Sequence, residues 1–249
     1  MKARLLSTHL IPEQFQPDEL RGGQAVVIDI LRASSTIVTA LFHGSATVIP
    51  CLTIEQARRE QEQPGSGPVL LGGERGGLLI PGFDLGNSPR DYTEARVAGK
   101  TILFTTTNGT KALHRCAQAE RVLVGCFLNL SGIVAELTGA TGDVHLVCAG
   151  TDGQITLEDC LFAGTLAQRL IAGGQDWEIN DGTRIGLALA EKWSTTPDTL
   201  HAGLLQSRGG RNLARLGLAS DVVECGCIDE RNIVPSWKAK RNRIDLEPT

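Results

Sequence analysis

Short apolar runs alternate with amphipathic stretches along the first 150 residues or so. Runs rich in Val, Ile and Leu at 4–7, 25–31, 46–51, 69–72, 101–105, 121–125 and 144–148 predict strands buried on both faces. Helical patterns at 35–43, 54–63, 110–117 and 130–138 fall between them. A β-then-α alternation predicts a mostly parallel sheet with helices on both sides, a three-layer α/β/α fold. From about residue 155 the pattern changes: 157–172, 182–193, 199–206 and 210–216 all read helical, and 222–225 reads as a short closing strand. No internal repeat and no clear linker interrupts the chain, so one α/β domain over 1–249 with a helix-rich C-terminal third is expected. The Pro/Gly stretch at 64–68 reads as a surface loop.

Composition narrows the class. Of the 249 residues, 41% are hydrophobic and 21% charged, which is ordinary globular usage and excludes a disordered, collagenous or coiled-coil chain. With 24 Lys and Arg against 28 Asp and Glu, the net charge is -4. Such a chain is not a general polyanion binder, so an anionic ligand needs positive charge gathered locally. No nucleic-acid partner is expected: one Tyr and three Trp offer few stacking platforms, and Lys238, Lys240, Arg241 and Arg243 read as a solvated basic terminus. No apolar run approaches about 18 residues, so no membrane partner is expected. The opening MKARLLSTHLIPEQF lacks the apolar core of a signal peptide. Seven cysteines, an odd number at mostly wide spacings, suit free thiols in a reducing cytoplasm. A homodimer is the default expectation for such an enzyme-sized chain.

Ligands of open α/β sheets gather beyond the carboxyl ends of strands. Four polar segments stand at such places. In VIDILRASST, an apolar strand delivers Asp29 and Arg32, and Ser34 and Ser35 open the next helix. Backbone N–H groups there favour an anion, and Arg32 can fork onto its oxygens; alternatively a serine caps the helix and Asp29 pairs with Arg32. In GGERGG, glycine pairs flank Glu74 and Arg75, which permits close backbone approach or makes an ordinary turn. The segment GFDLGNSP follows, with Asn87 and Ser88 as polar candidates. In TTTNGT, Thr106, Thr107, Asn108 and Gly109 form an oxyanion cradle or a capped helix start. In CAGTDGQITLED, Asp152, Glu158 and Asp159 are the densest hard-oxygen cluster near a strand end. Magnesium needs only one or two carboxylates plus waters and substrate oxygens, but Thr156 with Asp159 also reads as a capping box.

Standard signatures fail. Cys148 has no arginine six residues on, Asp29 has Leu31 where a second aspartate belongs, and there is no GxSxG elbow. His9, His43, His114, His145 and His201 lack zinc spacing, and Cys225-Gly226-Cys227 has no second pair.

Taken together, VVIDILRASSTIVTAL, GGERGG, GFDLGNSP, TTTNGT and CAGTDGQITLEDCLFAG, in this order, resemble the 2-phosphosulfolactate phosphatase family of coenzyme M biosynthesis. The likeness runs over residues 26–163, with a weaker echo at 217–235, and serines at 34 and 35 stand where threonines are expected. The resemblance implies magnesium-dependent hydrolysis of 2-phospho-3-sulfolactate to 3-sulfolactate and phosphate on a three-layer α/β fold. On that reading Asp29, Arg32, Glu74 and Arg75 are the catalytic candidates. Ser34, Ser35, Asn87, Ser88, Thr106, Thr107, Asn108 and Gly109 bind the small anionic substrate, and Asp29, Asp152, Glu158 and Asp159 hold Mg2+. The attacking group is either a metal-activated water or Asp29 itself. Two other readings compete: a phosphatase for another small phosphorylated carboxylic acid, and an anion-binding α/β protein without turnover.

Overall fold

The computed structural model describes residues 3–63 and 67–246, so part of the expected 64–68 loop lies outside the described residues. In chain order the elements are β1 (Arg4–His9), β2 (Gln24–Ile28), α1 (Ala33–Phe42), β3 (Thr47–Pro50), α2 (Ile54–Gln61), β4 (Val69–Arg75) and β5 (Leu78–Leu79). There follow α3 (Glu94–Val97), β6 (Thr101–Thr105), α4 (Gly109–Arg115), β7 (Arg121–Gly125), α5 (Leu130–Gly139), β8 (Val144–Cys148) and α6 (Leu157–Ala172). The last part holds β9 (Trp177–Ile179), α7 (Asp181–Trp193), α8 (Pro197–Gln206), α9 (Arg208–Arg215), α10 (Ala219–Gly226), β10 (Pro235–Lys238) and β11 (Arg243–Leu246).

The strands form one sheet in the order β5-β4-β6-β3-β11-β10-β7-β2-β8-β1-β9. Every residue of β2 and β8 is buried, so helices must cover both faces, as the continuous apolar runs predict. The chain is an α/β protein with a mostly parallel sheet and a helix-rich C-terminal part. Two parallel blocks, β4-β6-β3 and β7-β2-β8-β1-β9, are joined by the antiparallel β10–β11 hairpin. Because β3 opposes β11, β11 opposes β10 and β10 opposes β7, the two blocks run in opposite senses.

That hairpin corrects the reading of the basic residues near the C-terminus. Lys238 ends β10 and Arg243 begins β11, in the middle of the sheet. Ser236, Trp237 and Ile244 anchor the hairpin, all under 5% exposed, and the Trp237 ring meets the edge of His114. Strands of four residues are too short to show alternation through so many charges. A second correction concerns 222–225, which is helical within α10. Val222 and Cys225 are buried while Val223 is 52% exposed, a spacing that fits a helical turn and not alternation. A third concerns 25–31: β2 ends at Ile28, because Ser34 already closes a turn onto Asp29, its N–H donating to the Asp29 carbonyl (2.8 Å).

Beside this frame lies a buried histidine pair. His9 Nε2 and His145 Nδ1 share one hydrogen bond (3.2 Å) between β1 and β8. Burial first, and the neighbouring imidazole second, push His9 down to about 4. Its folded value is below the unfolded one, so the unfolded chain takes up protons first and stability falls as pH drops from about 6.5 towards about 4. Urea unfolding of wild type and His9→Gln checks this. From pH 7 to pH 5 the difference should shift in the variant's favour by about 2 kcal/mol. Parallel curves would show that the pair does not sense pH.

Candidate functional site

The loops leaving the carboxyl ends of β2, β4, β6 and β8 line a single cavity of about 600 Å3, with α9 as its remaining wall. Strands β2 and β8 belong to one block and β4 and β6 to the other, which runs the opposite way, so the sheet must curl across the hairpin for these loops to meet. Asp29, Arg32, Glu74, Asn87, Thr106, Thr107, Asn108 and Asp152 all face this space.

Each loop is set by its own chemistry. After β2, the Asp29 N–H donates to Ser34 Oγ (2.9 Å), and Ser35 Oγ donates to the Ile30 carbonyl (3.0 Å). Both serines are thus turned inward and hold the turn without reaching the cavity. Asp29 Oδ1 accepts the Ala33 N–H (3.2 Å), and Oδ2 receives no hydrogen bond among the described residues. Gly109, the first residue of α4, packs against this carboxylate; a Cβ there would stand 2.8 Å from Asp29 Oδ2.

Arg32 is 4% exposed. Its Nη1 donates to Asp221 Oδ2 (2.6 Å) and its Nη2 to the Gly77 carbonyl (2.7 Å). Ser88 Oγ donates to the other Asp221 oxygen (2.8 Å), which takes Ser88 out of the cavity wall and makes it a support of the ion pair.

Glu74 braces the opposite wall. Its Oε1 accepts the Thr107 N–H (2.9 Å) and hydroxyl (3.0 Å), and its Oε2 the Gly77 N–H (2.8 Å). Arg75 turns away from the cavity, donating to the Glu74 carbonyl (2.7 Å) and Thr105 Oγ1 (3.0 Å). The two do not pair through their side chains. Gly73 lets β4 approach β6 with φ of +140°; a Cβ there would fall 2.0 Å from the Thr105 carbonyl oxygen.

In the fourth loop, Asp152 adopts a left-handed φ of +52°, uncommon outside glycine. Its N–H donates to Asn108 Oδ1 (3.2 Å), and its carboxylate accepts from Arg208 Nη2 (2.8 Å). Asp159 lies behind the wall. It accepts the Ile30 N–H (2.9 Å), the Gly150 N–H (3.0 Å) and the Thr156 hydroxyl (3.0 Å), and so ties the β2 and β8 loops together. Glu158 is also buried behind the wall: Oε1 accepts the Gly209 N–H (3.1 Å) and Oε2 has no hydrogen-bond partner among the described residues.

The acids perturb one another. Burial above all pushes Asp29 up to about 7, with Glu74 and Glu158 adding repulsion and the Ala33 N–H and Arg32 opposing. Burial raises Glu158 too, and burial with the charges of Asp29 and Glu158 raises Asp159. A divalent cation relieves this kind of crowding. Among the described residues no three His, Cys, Asp or Glu side chains are grouped to hold a metal. The fit to Mg2+ is therefore that of an ion keeping its waters and substrate oxygens. Asp29 suits it, standing at the cavity wall with an oxygen to spare, whereas Glu158 lies outside the cavity lining. Asp159 is saturated by its three donors and Asp152 is neutralised by Arg208.

No local motif in the sequence announces a role for α9 or Asp221. Arg208, Arg211 and Arg215 all line the cavity, as does Asn212. Their spacing of three and four puts the arginines on one helical face, a signal present in RGGRNLAR. The lining thus holds four arginines against three acids on a chain of net charge -4, which is the local concentration of cations an anionic ligand needs.

Residues 9–240 match the protein family described as 2-phosphosulpholactate phosphatase. The chain belongs to that family. Among its relatives, a Symbiobacterium thermophilum protein named as a probable 2-phosphosulfolactate phosphatase is 43% identical over 88% of this chain and 92% of its own length. Proteins with the same name from Deinococcus radiodurans (40% identical, covering 93% and 92%) and Caldanaerobacter subterraneus subsp. tengcongensis (37%, covering 94% and 95%) are similar throughout. The matched span covers α9 and α10. Among the described residues no helix is long and apolar enough to cross a membrane.

Proposed function

We propose that the chain hydrolyses 2-phospho-3-sulfolactate to 3-sulfolactate and phosphate, with Mg2+ as cofactor, as a cytoplasmic step of coenzyme M biosynthesis. The observation that carries this reading is the cavity itself: a chain of the phosphatase family folds four arginines and an acid, one of whose oxygens accepts no hydrogen bond among the described residues, around one space. Its volume of about 600 Å3 suits a small ligand. The seven free thiols fit a reducing compartment.

The substrate carries phosphate, carboxylate and sulfonate on three carbons. Arg32 spends two of its N–H donors on Asp221 and Gly77 and keeps others for phosphoryl oxygens. Thr106 Oγ1 is buried at the cavity wall with no hydrogen-bond partner among the described residues, so its hydroxyl is available to the same oxygens. The Glu74 brace fixes Thr107 and with it the loop that carries Asn108. Such fixed donors stabilise charge that develops in the transition state, which is where a slow phosphomonoester hydrolysis gains most of its rate. Mg2+, held by Asp29 with waters and substrate oxygens, would supply charge neutralisation and a more acidic water. Asp29 then serves as a carboxylate beside the reacting phosphorus.

Phosphate release from synthetic 2-phospho-3-sulfolactate tests the reading. Turnover with millimolar MgCl2 should fall by at least about 100-fold in EDTA and return on adding back magnesium. Turnover unaffected by chelation removes the metal from the proposal, and absence of turnover with any divalent ion removes the activity. Running 2-phospholactate alongside separates the sulfonated substrate from other phosphorylated acids.

A further inference from the structure

We infer that Arg211 and Arg215 of α9 are the specificity-determining residues of this site, and that they bind the sulfonate of the substrate; the inference rests on the phosphatase reading above. Charge pairing around the cavity singles them out. Arg32 is neutralised by Asp221, and Arg208 by Asp152. Arg211 donates to the Gln206 carbonyl and Arg215 to Asn212 Oδ1 (2.6 Å), both neutral acceptors within their own neighbourhood. Neither has a carboxylate partner among the described residues. Each keeps most of its five N–H donors.

The row is also held in place. Ser207 Oγ caps α9 by accepting the Gly210 N–H (2.9 Å), Leu213 is 3% exposed, and the Gly209 N–H is bonded to Glu158. Position along the substrate then decides which group they meet. The phosphoryl ester is on the central carbon and is taken by the Asp29–Arg32 side. The sulfonate is borne on a separate arm of that carbon, with sulfur as far from it as phosphorus, so a phosphate held at the Asp29–Arg32 side leaves the sulfonate for the unpaired arginines of the α9 wall. A solvated helical face with the same spacing would carry charges too, but it would not discriminate between substrates.

The test is a comparison of kcat/KM on 2-phospho-3-sulfolactate, 2-phospholactate and p-nitrophenyl phosphate for wild type, Arg211→Gln/Arg215→Gln and Arg211→Lys/Arg215→Lys. Both side chains are exposed, so the variants should fold, which circular dichroism checks. The glutamine variant should lose about 100-fold on the sulfonated substrate and less than about threefold on the other two. The lysine variant should recover part of the loss, since it restores charge without the planar fork. An equal loss on 2-phospholactate, or no loss on the sulfonated substrate, overturns the inference. Should wild type release phosphate from none of the three, the phosphatase reading falls, and calorimetric binding of 3-sulfolactate judges the arginines instead. Binding lost in the glutamine variant upholds their role, and equal binding by both proteins overturns it.

Discussion

Replacing Asp29 by asparagine is expected to lower kcat by about three orders of magnitude while making the metal-free protein more stable, not less. The two effects have one cause. Asp29 is half-buried at the cavity wall, where desolvation above all, with the charges of Glu74 and Glu158, pushes its carboxyl up to about 7. Ionising it there costs free energy that a bound cation would return. Asparagine keeps the acceptor for the Ala33 N–H and removes the charge. An acid whose folded value is raised loses stability as pH rises from its unfolded value to its folded one. The advantage of the Asp29→Asn variant over wild type in EDTA should therefore be small near pH 4, grow towards about pH 7 and level off, reaching on the order of 1–2 kcal/mol once partial solvent access is allowed for. Magnesium should raise the Tm of wild type and leave the variant unmoved. Hydrolysis of a substrate with an isotopically chiral phosphoryl group completes the assignment: inversion at phosphorus leaves water as the attacking group, and retention requires a phospho-Asp29 intermediate. A variant with kcat within about threefold of wild type takes Asp29 out of the reacting set.

Much of this arrangement is legible in the chain, for identifiable reasons. An apolar strand that ends in Asp29 and Arg32, or in Thr106 to Asn108, announces a loop at a strand's carboxyl end, and these residues meet in one cavity. Side-chain direction within those loops is another matter. Ser34 and Ser35 have the same composition whether they face a ligand or bond their own turn, and here local hydrogen bonds win. Arg75 stands next to Glu74 in sequence, yet the pleat and the turn send it to Thr105. Asp159 looks like a metal ligand by composition and is used up as a tie between two loops. The helical C-terminal third hides its part for a different reason. An arginine at every third or fourth position is the ordinary pattern of a solvated helix face, and only the packing of α9 over the β4–β5 turn makes it a cavity wall. The hairpin is hidden because its few buried residues are flanked by Lys238, Lys240, Arg241 and Arg243.

Asp221 is the largest of these omissions, and its removal should cost the most stability. The Arg32–Asp221 pair is closed from water, with side chains 4% and 2% exposed. Such a pair need not stabilise the fold relative to an apolar substitute, but removing one partner leaves a buried charge without compensation, at about 3–5 kcal/mol. Asp221→Ala should therefore lower Tm by about 10 °C for a chain of this length. The Ser88 hydroxyl loses its acceptor in the same variant, which adds to the cost. Asp221→Asn separates posture from charge. Its amide oxygen still accepts from Arg32, so the guanidinium keeps its place against Gly77, but its full positive charge is now turned on the cavity. That variant should be less destabilised than the alanine and should bind inorganic phosphate about tenfold more tightly than wild type, with slower product release. Equal melting of wild type and Asp221→Ala would show that Arg32 finds another counter-ion. Unchanged phosphate inhibition in Asp221→Asn would show that Arg32 does not face the phosphoryl group. Both measurements start from an acid 189 residues away from its arginine, and this separation explains why no local motif announces the pair.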